Sequence, residues 1–73
     1  MIPTQPFKVT FLRSNKKEIT YHPNTLGWMV TEKNGDVEAT ASYTISESQV
    51  ELEHDYFSSL WQDYDVEYLK GES

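Results

Sequence analysis

The sequence predicts an α+β domain: a four-stranded antiparallel sheet of two hairpins with one C-terminal amphipathic helix packed on it. Three observations carry this. Apolar residues alternate with polar ones through most of residues 7–45, Asn34-Gly35 supplies a tight-turn pair between two such runs, and a helical period sets in at residue 46 behind a capping signal. The chain then divides into an irregular arm (1–6), the sheet (7–45), the helix (46–64), and a fifth edge strand or tail (65–73), all within one domain of 73 residues.

Residues 1–6 hold two prolines and no periodicity, so an arm is expected there; the PxxP spacing of Pro3 and Pro6 fits a frayed terminus better than a ligand motif. Phe7, Val9 and Phe11 alternate with Lys8, Thr10 and Leu12, as on a strand with one face buried. After Ser14-Asn15-Lys16, Ile19 and Tyr21 alternate with Glu18 and Thr20, which completes a hairpin. His22-Pro23-Asn24-Thr25 should end that strand, since proline removes a ladder donor. A third strand follows over 27–32, with Trp28 and Val30 on one face. Asn34-Gly35 suits a two-residue type I′ turn. It leads to a fourth strand over 36–45, with Val37, Ala39, Ala41, Tyr43 and Ile45 facing in.

Ser46 and Gln49 then fit a capping box, and Ile45 and Val50 a hydrophobic staple. At 100° per residue Val50, Leu52, His54, Tyr56, Phe57, Leu60, Trp61 and Tyr64 form one arc, interrupted by Glu53, opposite an arc of Glu51, Asp55, Ser58, Ser59, Gln62 and Asp63. Residues 50–56 also alternate as a strand would. The helix accounts for the whole stretch, the strand for half of it. Beyond Tyr64 the helical pattern fails and Asp65 to Leu69 alternates.

The net charge of −6 hides a split. Through Lys33 the chain carries five bases (Lys8, Arg13, Lys16, Lys17, Lys33) against Glu18 and Glu32. From Asn34 onward ten acids face Lys70 alone. Such asymmetry speaks about partners, and an acidic half seeks a basic surface rather than nucleic acid. With no cysteine and two histidines, neither a disulfide nor a metal is expected as a staple. A chain this short gains from a second subunit, and a homodimer is expected. No signal-like or membrane-spanning run is read, so the expected compartment is the cytoplasm.

Candidate chemistry is sparse. His54 with Asp55 and Ser58 offers a base and a hydroxyl but no separate carboxylate to orient the ring, and His22 precedes a proline in a loop. A packing histidine is the better account of His54. No phosphate loop, zinc spacing or HExxH is present, and no enzyme or cofactor is expected. Most of the aromatic rings read as core and interface packing rather than a base-stacking platform.

The acids are sharper. Glu47, Glu51 and Asp55 stand at i, i+4 and i+8, about 6 Å apart along a helix. Like charges so placed cost a few tenths of a kcal/mol per pair, and no base lies between Asn34 and Leu69 to relieve them. With Asp63, Asp65 and Glu67 they form the expected partner-binding set, anchored by Tyr56, Trp61 or Tyr68. A solvated face that keeps the protein soluble is the competing account. Gln49-Val50-Glu51-Leu52 is similar to the front of the glutamine-led peptides that dock on bacterial sliding clamps, with Glu53 where an apolar residue is expected.

In size, acidity and lack of catalytic motifs the chain resembles the small phage-encoded inhibitors of host enzymes, several of which are DNA mimics. The resemblance implies an inhibitor that presents carboxylates as phosphate surrogates to a host DNA-handling protein, for example one that encircles duplex DNA. The alternative is a non-enzymatic assembly module that oligomerises through its basic and acidic halves.

Overall fold

The computed structural model describes residues 3–13, 17–35 and 40–70. It contains one antiparallel sheet of five strands, β1 (Phe7–Phe11), β2 (Lys17–Asn24), β3 (Gly27–Asn34), β4 (Thr40–Ile45) and β5 (Tyr64–Tyr68), with one helix, α1 (Glu47–Ser59), between β4 and β5. This is the expected α+β class, with the fifth edge strand formed. The strand order is β4-β3-β2-β1-β5, so α1 must carry the chain from one edge of the sheet to the other.

Strand register puts the alternating apolar residues on the face that α1 covers. Phe7 pairs with Tyr21 and with Tyr68, Val9 with Ile19 and Val66, and Trp28 with Ile45. Phe7, Val9, Ile19, Tyr21, Trp28 and Val30 are buried there beneath Val50 and Phe57 of the helix. Each such side chain contributes roughly 1.5–3 kcal/mol when fully buried. Lys8, Thr10, Glu18, Thr20, Thr31, Asp65 and Glu67 fall by alternation on the opposite, polar face.

Four expectations are corrected. First, β2 runs through Pro23 to Asn24. Tyr21 is the last β2 residue paired with β1, so Pro23 has a strand on one side only, where a missing N–H is tolerated. The tight two-residue turn is Thr25-Leu26, between the paired residues Asn24 and Gly27, with the Leu26 N–H donating to Asn24 Oδ1 at 2.9 Å.

Second, Asn34-Gly35 does not close a two-residue hairpin. That turn would set Lys33 opposite Asp36, whereas Lys33 lies opposite Thr40, the register that aligns Trp28 with Ile45 and Val30 with Tyr43. Third, Ala41 and Tyr43 share the helix-side face but are exposed, because α1 leaves the lower part of this edge uncovered; only Ile45 packs on the core. Val37 and Ala39 lie outside the described residues.

Fourth, the helix ends at Ser59, not near residue 64. Leu60 leaves helical geometry, and its carbonyl accepts from the N–H groups of Asp63 (2.9 Å) and Tyr64 (3.0 Å). The turn lowers the chain onto β1, where the Leu12 N–H donates to the Asp63 carbonyl at 2.9 Å. At the other end Ser46 caps the helix as expected, accepting from the Gln49 N–H at 3.3 Å.

Gly27 has φ +137°, and a Cβ added there would stand 2.6 Å from the Ile45 carbonyl oxygen. Gly27→Ala should therefore cost about 1–3 kcal/mol in urea unfolding. A variant as stable as the parent would contradict the close β3–β4 approach.

Candidate functional site: an aromatic cleft beside an acidic sheet edge

The side of α1 that meets the sheet differs from the expected arc. Val50 and Phe57 are buried, Glu53 and His54 half-buried, while Leu52 (66 % exposed), Tyr56 and Leu60 face solvent. The reason is the wholly buried Tyr21. Its hydroxyl needs an acceptor and donates to Glu53 Oε1 at 2.6 Å, while Gln49 Nε2 donates to Glu53 Oε2 at 2.8 Å. Gln49 thus serves Glu53 and does not reach back to the cap. The interruption in the apolar arc was the one sequence signal for this contact.

A second polar group lies on the same sheet face. Tyr43 Oη donates to Glu32 Oε2 at 2.9 Å, and Lys17 Nζ lies 3.6 Å from Glu32 Oε1 and 5.0 Å from the centre of the Phe11 ring. Glu32 alternates with Trp28 and Val30 along β3, which places it on the helix-side face. Among the described residues every buried side-chain nitrogen or oxygen has a partner.

On the other flank of α1, His54 packs edge-on against Phe7 with ring centres 5.0 Å apart. Its Nε2 lies 2.7 Å from Tyr68 Oη, and its Nδ1 3.5 Å from Asp55 Oδ1. The ring therefore ties the helix to β5. Next to it, between the end of α1 and β5, opens a cleft of about 390 Å³ lined by Phe57, Ser58, Trp61, Tyr64, Asp65, Val66 and Tyr68. Trp61 is 70 % exposed and Phe57 is buried, with the Tyr64 ring 4.8 Å from it.

The nine expected partner-binding residues distribute unequally around this cleft. Trp61, Asp65 and Tyr68 line it; Tyr56 does not, although its ring lies 6.1 Å from that of Tyr64, which does. Helical periodicity places Glu47, Glu51 and Asp55 on the flank shared with His54 and Ser58; Glu47 stands at the β4 end of the helix and Asp55 beside His54, which meets β5. Asp65 and Glu67 project from the opposite face of the sheet, and Glu67 lies 3.8 Å from Lys8, which is closer to Glu18 at 3.4 Å. Asp63 pairs with Arg13. The six carboxylates therefore do not make one continuous row: Glu47 stands at the start of α1, just after β4, while Glu51 and Asp55 on the helix and Asp65 and Glu67 on the strand lie nearer the β5 edge.

No three histidine, aspartate or glutamate side chains among the described residues are grouped to hold a metal ion, and no described helix is long and apolar enough to cross a membrane. No protein-family model, curated protein or solved structure matches the chain.

Burial, reinforced by the hydrogen bond to Glu53, raises the Tyr21 phenol far above its ordinary value; Tyr43, shielded first by burial and then by its bond to Glu32, is pushed up to about 12. The folded chain thus keeps protons that the unfolded chain releases near pH 10, so this stabilisation is complete below about pH 10 and declines as the pH rises further. Tyr21→Phe should cost about 1–3 kcal/mol at neutral pH by removing a donor from Glu53. It should also flatten the alkaline fall in unfolding free energy; an unaltered slope would contradict the assignment.

Proposed function

We propose that this chain is a non-enzymatic binding protein whose β5 side occupies a basic surface of a partner. The reading favoured is a phage-encoded inhibitor that blocks a host DNA-handling protein by presenting carboxylates where phosphates would lie. One observation carries it: an aromatic cleft at an open sheet edge, with Glu51 and Asp55 on the helix flank that carries His54, and Asp65 and Glu67 on the strand below. Exposed aromatic groups supply anchor area, and the flanking charge steers a basic partner and excludes an acidic one. DNA itself would be repelled.

The experiment is capture from bacterial lysate with duplex DNA as competitor. DNA-binding proteins should be retained by the parent chain, released by rising salt and by DNA. Glu51→Lys with Asp55→Lys should weaken retention at least about ten-fold, a loss of ~1.4 kcal/mol. Retention unchanged by this reversal, in a variant that stays folded, would overturn the reading.

A second reading, self-assembly, is favoured by β4. Thr40–Ile45 is an edge strand without a charged residue or proline, and Ala41, Ser42, Tyr43 and Thr44 are exposed. Assembly through the charged halves has less support, since Lys8 and Arg13 already meet Glu67 and Asp63 of the same chain. Sedimentation should detect a dimer that Ser42→Lys dissociates if this reading holds; a monomeric parent chain would end it.

A further inference from the structure

We propose that β5 accepts an extended segment of the partner as a sixth strand, and that this segment alternates lysine or arginine with apolar side chains. The inference rests on the reading of the β5 side as a partner surface and specifies how the partner is held.

The backbone supplies the first half of the recognition. Among the described residues β5 pairs with β1 on one side only. The bonds from the Leu12 N–H to the Asp63 carbonyl (2.9 Å) and from the Leu69 N–H to the Pro6 carbonyl (2.8 Å) fix the alternation of the ladder. Residues 63, 65, 67 and 69 turn their backbone groups toward β1, so the N–H and C=O groups of Val66 and Tyr68 point to the open edge. The Tyr64 N–H is taken by the Leu60 carbonyl. Val66 and Tyr68 therefore form the template for a new strand.

The side chains supply the second half. Val66 and Tyr68 lie on the helix-side face and, with Phe57, Trp61 and Tyr64, line the cleft, so residues of an added strand on this face meet aromatic and apolar side chains interspersed with polar groups. Asp65 and Glu67 lie on the other face. Asp65 stands opposite Thr10 with no ion-pair partner among the described residues, and Glu67 has only a share of Lys8. A second copy of β5 would bring like charges side by side, which opposes self-pairing; a strand with lysine or arginine at those positions gains opposite-charge cross-strand pairs. The same carboxylates thus exclude this chain and select a basic one.

The test uses the full chain and three short capped peptides: alternating lysine and valine, the same peptide N-methylated at alternate residues to remove donors from one edge, and alternating glutamate and valine. Trp28 is buried and Trp61 exposed, so Trp61 should dominate a change in tryptophan emission on binding. The lysine–valine peptide should bind, shift the emission to the blue and move the amide resonances of Val66 and Tyr68. The N-methylated peptide should bind at least about ten-fold more weakly, and the glutamate–valine peptide should not bind.

Val66→Pro should reduce binding similarly, because proline is tolerated on an edge strand where the N–H faces outward. Equal binding of the methylated peptide, absence of binding by the lysine–valine peptide, or resonance shifts confined to other elements would each overturn strand addition. If strand addition fails while Glu51→Lys with Asp55→Lys still abolishes partner capture, the acidic-surface reading survives alone. If the peptide adds at β5 while charge reversal on the helix leaves capture unchanged, that reading fails instead.

Discussion

The hydrogen bond from Tyr21 to Glu53 decides which side of the helix faces the sheet. Tyr21 stands in the middle of the sheet, paired with Phe7 on one side and Val30 on the other, and is fully buried. A hydroxyl left there without an acceptor would cost about 1–3 kcal/mol. Glu53 provides the acceptor, and the rotation that brings it down also buries Val50 and Phe57, three and four residues to either side. Leu52 and Tyr56 are turned outward as a consequence. A simple ranking by hydrophobicity would have chosen them.

Topology adds the second constraint. β4 and β5 are the two edges of the sheet, so the helix that joins them crosses from one to the other, and the edges acquire different characters. β4 is uncharged and partly uncovered. β5 lies beneath the end of the helix, with an aromatic cleft on one face and carboxylates on the other. His54 bridges helix and strand through Phe7 and Tyr68, so the histidine that invites a catalytic reading has a packing environment. The proposed function follows from this contrast between edges rather than from net charge alone.

Much of the sheet was legible because its signals are local. Phe7, Val9, Ile19, Tyr21, Trp28 and Val30 recur at every second position within their strands, mostly between polar residues, and all six are buried on one face. Ser46 and Val50 likewise mark the helix start by short-range chemistry. What was not legible depends on distant partners. The β3–β4 register follows the alignment of Trp28 with Ile45 and overrides the preference of Asn34-Gly35 for a tight turn. The helix is rotated by a residue thirty-two positions away in sequence. The acidic residues stand out by type, but only the β1–β5 register reveals that Asp65 and Glu67 fall on the sheet face opposite the helix that carries Glu51 and Asp55.

The contact between Tyr21 and Glu53 is tested most directly by a double-mutant cycle on Tyr21→Phe and Glu53→Gln, with unfolding free energies of the parent, both single variants and the pair. If this hydrogen bond sets the rotation of the helix, the two effects are coupled by about 1 kcal/mol or more, in the range found for contacting residues in one network. Additive effects, with no coupling, would contradict it.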